Sequence, residues 1–313
     1  MRVTQNMVQR TALADNLRVR RQLLELQEQA SSGLRVNRPS DDPSDASRAA
    51  LLRAEIESGE RLAKSVEHAR ARLETVDTQL GHANDVLVRA RELATQAAND
   101  TADAGSRRLV AAEIAQLHEQ LVATSNLRHQ GAYLFGGYAT GQRAFEQSGS
   151  FADGSPAPVV SYGGDGAEIE LEIEEGILVR TTLDGRRVFL GDADGSGSPD
   201  ATREDLFDVL ASLWQSLESN DRAGIAASLD RIARGQEQLD VERARVGGRL
   251  TRVEAADAVL SRRGVDLAGQ LSSAEDADSV EVYSALAHQQ TLLQASLQVT
   301  ARAIQPSLLD FLQ

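Results

Sequence analysis

A helical histidine followed by glutamate opens a zinc-protease signature, and His118-Glu119 supplies that opening. The chemistry needs a second histidine one turn on, so that two imidazoles share a face, but Val122 stands there. The five histidines are otherwise scattered, so His118 reads as an exposed helical histidine and no metal cluster is expected. Asp192, Asp194, Ser196, Ser198 and Asp200 have the alternation of a calcium loop, with Gly197 at its sixth position. Arg203 replaces the bidentate glutamate that closes such a loop and Pro199 its apolar residue, so a solvated connection is the better reading. Glu168, Glu170, Glu172 and Glu174 alternate with Ile169, Leu171 and Ile173, which places the carboxylates on the solvent face of a strand. There they discourage edge-to-edge association instead of acting as catalytic acids. Cysteine is absent, so thiol catalysis, thiolate metal sites and disulfides do not arise. No phosphate-binding glycine loop or nucleophile elbow is present, and the chain reads as no enzyme and needs no cofactor.

Composition points the same way. Hydrophobic residues make up 41% of the 313, enough for a core, but aromatics only 4%, fewer than large pockets usually carry. The formal charge of −14 disfavours nucleic acid as a partner. No run of about 18 apolar residues occurs, so a membrane span is not expected. The arginine-rich start lacks the apolar stretch of a cleavable leader, which on these rules alone points to the cytoplasm.

The elements behind these residues are mostly helices. An amphipathic pattern over residues 3 to about 29 places Leu13, Leu17 and Leu24 on one stripe and stops near Ser31-Ser-Gly33. Two prolines keep residues 34–43 extended, with Ser40, Asp41 and Asp42 available to cap the next helix. That helix, about 43–99, carries a heptad through Leu52, Gly59, Val66, Leu73, Leu80, Leu87 and Ala94. Leu62, Ala69, Val76, Ala83, Ala90 and Ala97 form its second seam, and packing within the chain is the favoured use of both. A helix over about 104–130 follows, and the short connection makes an antiparallel hairpin.

Residues 131–200 are rich in glycine, serine and aspartate and read as a small antiparallel β domain, with a tight hairpin expected at Asp184-Gly185. Helix resumes near Ala201 and continues over about 223–271, where Gly247-Gly248 suggests close packing or a bend. A last amphipathic helix over about 280–311 carries Leu286, Leu293, Leu297, Ile304 and Leu308, with Pro306 expected to kink its end. The fold class is therefore mainly α with a small β insert, a long antiparallel helical rod whose strands are the two halves of the sequence. Its expected parts are residues 1–42 with 280–313, residues 43–130 with 201–279, and the outer insert. The terminal stripes are narrow, and helices that are marginal alone need partners, so they are expected to make subunit contacts.

The ordered motifs resemble those of the flagellin superfamily. Leu34-Arg-Val-Asn-Arg-Pro-Ser-Asp-Asp-Pro43 before an alanine-rich helix is similar to that family's N-terminal region. Gln130-Gly-Ala-Tyr-Leu-Phe-Gly-Gly137 and Ser161-Tyr-Gly-Gly-Asp165 resemble its passage into a small β domain. The close, Leu292-Leu-Gln-Ala-Ser-Leu297 then Ser307-Leu-Leu-Asp-Phe-Leu312, resembles the hook-associated branch more than the filament subunit. The resemblance implies export without a cleaved signal to an extracellular flagellum, which replaces the cytoplasmic expectation. It further implies a homo-oligomeric ring between a neighbouring hook-associated protein and flagellin, adapting a flexible hook to a stiffer filament, and an export chaperone holding the last helix. Leu13, Leu17, Leu24, Leu293, Leu297, Ile304, Leu308 and Phe311 are the implied assembly contacts. The filament subunit, a calcium-binding protein and a cytoplasmic coiled-coil scaffold are the competing expectations.

Overall fold

The computed structural model describes residues 5–99, 103–152 and 155–304. The chain forms two compact units, residues 1–59 with 262–313 and residues 60–261, and helices α2 (Pro43–Ala98) and α5 (Arg222–Glu275) contribute to both.

In the larger unit, α2 and α5 run antiparallel, with Arg243 bonded to Asp77 at 3.2 Å and Arg91 to Gln236 at 3.4 Å. The α2 heptad is buried as its spacing requires: Leu73, Val76, Leu80, Ala83, Leu87 and Ala90 are inaccessible to solvent. The seam facing it has the same period on α5, through Ile225, Ile232, Leu239, Val246 and Val253. Gly235 lies within this seam because an added Cβ would meet Leu206 Cδ2 at 2.7 Å. Helices α3 (Ala104–Ser125) and α4 (Leu206–Glu218) complete the layer, contributing Ile114, Leu121, Phe207 and Trp214. Asp103 and Asp205 cap these two helices by accepting backbone N–H groups of their first turns. Gly247 and Gly248 have open space around them and α5 continues through both, so neither marks close packing.

The insert is antiparallel as expected but is not built as one continuous sheet. Its described residues form three separate antiparallel ribbons: β1 (Arg128–His129) with β2 (Ala132–Tyr133), β3 (Phe145–Ser148) with β4 (Val159–Tyr162), and β5 (Glu170–Glu174) with β6 (Ile177–Arg180). Helix α3 stops at Ser125, because the chain from Arg128 pairs as a strand. Asp184-Gly185 is no hairpin: Gly185 has φ −61°, in the right-handed region, and starts a five-residue π-helical turn, Arg186–Leu190.

Two sequence motifs of the insert lock together. Tyr162 donates its hydroxyl to Phe135 O at 2.9 Å, and Asp165 accepts the Tyr138 N–H through both carboxylate oxygens. Gly137, at φ +69°, makes this possible, since a Cβ would lie 1.8 Å from Asp165 Oδ1. Gly137→Ala is expected to cost about 2–4 kcal/mol, read as a lower urea midpoint with unchanged slope.

In the smaller unit, α1 (Gln5–Ser32) ends at Gly33, whose φ of +74° supplies the expected left-handed cap. The following segment lies against the α5–α6 turn: Arg35 N–H donates to Glu275 O at 2.6 Å and Ala277 N–H to Gly33 O at 2.9 Å. The Arg35 guanidinium bonds Asp45 and, at 2.8 Å, Ala274 O. Asp42 caps α2, accepting Ser44 and Asp45 N–H at 3.1 Å each. Its hydrogen bond from the Ser44 hydroxyl, with those from the backbone, holds its pKa down at about 2. Helix α6 (Ser279–Ile304) then returns alongside α1.

Candidate assembly surface

The side chains that first suggested chemistry do not converge on a reaction centre. His118 is fully buried, contrary to its exposed reading, with its ring 5.0 Å from Phe151 and 5.9 Å from Phe207. Neither imidazole nitrogen has a partner among the described residues, and burial pushes the pKa down to about 4. A neutral imidazole with no acid, base or metal beside it is a packing group.

The calcium-like loop is solvated as expected, residues 193–199 being exposed, and its turns are closed by its own backbone. Asp192 is buried and accepts the N–H groups of Gly195, Ser196 and Gly197 at 2.7–3.0 Å. Asp194 accepts Ser196 N–H, and Asp200 accepts Ala193 N–H, so these carboxylates are committed to turn formation. No cluster that could hold a metal occurs among the described residues.

The strand glutamates divide. Glu170 and Glu172 are exposed as expected, but the Glu168 side chain is 9% exposed and paired with Arg187 and Arg249 at 3.2 and 3.1 Å. Beside it, Glu242 is fully buried and accepts from Arg187, Arg203 and Arg245 at 3.1–3.2 Å. One stripe of α5 therefore holds the insert: Gln238 donates to Val188 O, Glu242 binds Arg187 and Arg203, and Arg249 donates to Thr182 O. Sequence reasoning passes over this stripe, since charged residues at helical spacing look the same on a solvated face. The available signal was Glu242 itself, placed one turn from Gln238 and one from Arg245 with four arginines nearby.

The terminal pair has a different character. Helix α1 turns Ala12, Asn16, Val19, Leu23, Leu26 and Ala30 toward α6, which offers Val282, Leu286, Gln289, Leu293, Ser296 and Thr300. Polar contacts set the register: Asn16 donates to Thr300 Oγ1 at 2.8 Å and receives the Ser296 hydroxyl, and Gln289 donates to Gln22 at 2.8 Å. The expected contact leucines lie elsewhere. Leu13, Leu17, Leu24 and Leu297 are 61, 53, 57 and 53% exposed, and only Leu293 belongs to the seam. The Ile304 side chain, Leu308 and Phe311 lie outside the described residues. Met7, Val280, Tyr283 and Val299 add to the exposed apolar surface. Scattered exposed leucines are ordinary, and three on one stripe of one helix make that stripe the candidate docking surface. No helix among the described residues is long and apolar enough to cross a membrane.

Residues 3–140 match the bacterial flagellin N-terminal helical region and residues 229–312 the bacterial flagellin C-terminal helical region. The chain is similar to flagellar hook-associated protein 3 of Salmonella typhimurium, 26% identical over 304 residues that cover 95% of both chains. It is 28% identical to the Escherichia coli protein of that name over 290 residues, 86% of both. The flagellar junction protein FlgL of Legionella pneumophila shares the fold, with a TM-score of 0.57 at 16% identity over 74% of this chain and all of that one. With both helical regions matched in order at its two ends, around an insert held by α5, the chain belongs to the flagellin family of structural flagellar components.

Proposed function

We propose that this chain is the structural subunit joining the hook of the bacterial flagellum to its filament, assembling through its terminal helices. The observation that carries this reading is the exposed run Leu13, Leu17 and Leu24, turned away from the α1–α6 seam and so free for another subunit. The end-to-end similarity to hook-associated protein 3 favours the junction over the filament. In this reading residues 1–42 and 280–313 form the assembly part, with Leu293, Ile304, Leu308 and Phe311 completing its contacts. The subunits form a ring between another hook-associated protein and flagellin, outside the cell, after export without leader cleavage. An export chaperone holds the last helix before assembly.

A deletion strain tests this. Without the chain, cells should carry hooks lacking filaments while flagellin accumulates in the medium, and the intact gene should restore filaments. Loss of flagellin export as well, or filaments of normal length, would refute a junction role. Leu17→Asp with Leu24→Asp should leave the larger unit's melting transition unchanged yet remove filaments. Burying either carboxylate costs more than the ~2–5 kcal/mol of losing an interfacial leucine. Electron microscopy of hooks, with immunoblotting of the medium, reads both results.

A further inference from the structure

The outward stripe of α1 is basic as well as apolar. At ~100° per residue, Leu13, Leu17, Leu24, Arg10, Arg20 and Arg21 fall within about 100° of the helix circumference. All six are exposed, and none of these three arginines has a carboxylate partner among the described residues. The same unit carries the opposite surface where α5 turns into α6. Asp276, Asp278, Val280, Glu281 and Tyr283 are all exposed there, Val280 at 81% and Tyr283 at 58%. Asp276 accepts the Ser272 hydroxyl and Asp278 caps α6, but no guanidinium of the described residues pairs with these carboxylates.

The two surfaces cannot meet within one chain. Ala277 lies against Gly33, beyond the end of α1, whereas Leu17 sits near the Asn16–Thr300 contact. The separation along α1 is roughly 24 Å at ~1.5 Å per residue. Building on the flagellar reading, we infer that the arginine–leucine stripe of α1 docks on the acidic α5–α6 turn of a second copy of this chain. The two copies are offset along the terminal helices by that distance. The chain's own last residues are a poorer occupant: residues 305–313 hold a single acid, Asp310, to set against three arginines. The contact joins different patches, so it is head-to-tail and propagates around a ring, where a self-complementary contact would stop at a dimer. Charge fixes the register of a surface whose leucines alone would permit sliding.

The absence of cysteine gives a clean test. Leu17→Cys and Val280→Cys chains are co-expressed in the deletion strain, and isolated hooks are treated with a short bismaleimide. A covalent dimer from the mixture, absent when either variant is expressed alone, is the expected result. Hooks that contain both variants yet give no mixed dimer overturn the inference and leave the flagellar reading intact. A dimer from Leu17→Cys alone also overturns it, as does an adduct to a different protein. Absence of the unsubstituted chain from hooks would overturn both readings. In parallel, Arg21→Glu should reduce the chain's hook occupancy at least tenfold, and adding Glu281→Arg to the same chain should restore most of it. Equal occupancy for Arg21→Glu and the unsubstituted chain counts against the contact.

Discussion

Glu242→Ala should lower the stability of the larger unit by about 3–5 kcal/mol, because it strands buried positive charge. Glu242 accepts from Arg187, Arg203 and Arg245, and its side chain is fully buried. Arg187 and Arg203 are themselves only 20% and 16% exposed at the side chain, so water cannot replace the lost acceptor. Arg187 keeps Glu168 at 3.2 Å, but its Nε is already buried without an acceptor among the described residues. Glu242→Gln keeps the shape and one acceptor oxygen, and should fall between the two. For a unit of this size the alanine variant corresponds to a fall of about 10 °C in melting temperature. The loss should concentrate in the insert, read as faster amide exchange at Thr182 and Val188, whose carbonyls accept from α5. An alanine variant with an unchanged melting temperature would mean that the arginines relax to solvent at no cost.

His118→Leu should remove one source of acid sensitivity from the same unit. The imidazole titrates near pH 6.5 in an unfolded chain, and burial lowers the folded value to about 4. A depressed folded pKa means that the unfolded state binds the proton first. Stability is therefore complete above about pH 6.5 and falls as pH drops toward 4, where the loss levels off at about 3 kcal/mol. Leucine fills a similar volume between Phe151 and Phe207 and leaves no nitrogen unpaired, so it should also raise stability at neutral pH by about 1–2 kcal/mol. Urea midpoints at pH 7 and pH 4.5 check both points. Parallel pH profiles for the two proteins would show that His118 does not titrate in this range.

Periodicity made the helices readable. The α2 seam from Leu52 to Ala97 and the heptads of α5 follow from one buried face at a seven-residue spacing, which any partner helix enforces. The insert was less legible because its contacts are long-range. Asp184-Gly185 has the composition of a hairpin, but the following Val188 and Phe189 are drawn into the aromatic cluster with Phe135, Phe145 and Phe207, and the backbone coils instead. His118 shows the same effect: nothing local distinguishes it from the exposed His82 or His288, and the rings that cover it, Phe151 and Phe207, are distant in sequence. The low aromatic content hid the concentration of those few rings where the insert meets α3 and α4. On the terminal helices, spacing found a stripe without saying which way it faces. Leu13, Leu17 and Leu24 are the stripe expected to make subunit contacts and they lie exposed, whereas the α1–α6 seam uses Asn16, Val19 and Leu23. Polar residues in that seam gave the sequence reading no hydrophobic signal to follow.

The measurement that tests assembly through the terminal helices most directly is amide hydrogen exchange of the full chain, free in solution and bound to isolated hooks. Helices α1 and α6 pack on each other through one narrow, partly polar seam and leave their large leucines in water, so in the free chain they should exchange far faster than α4 and the core of α5. On hooks, protection across Gln5–Ser32 and Ser279–Ile304 should rise by at least a hundredfold, about 3 kcal/mol, while the larger unit changes little. Terminal helices that are already as protected as α4 in the free chain, and unchanged on hooks, would contradict assembly through these surfaces.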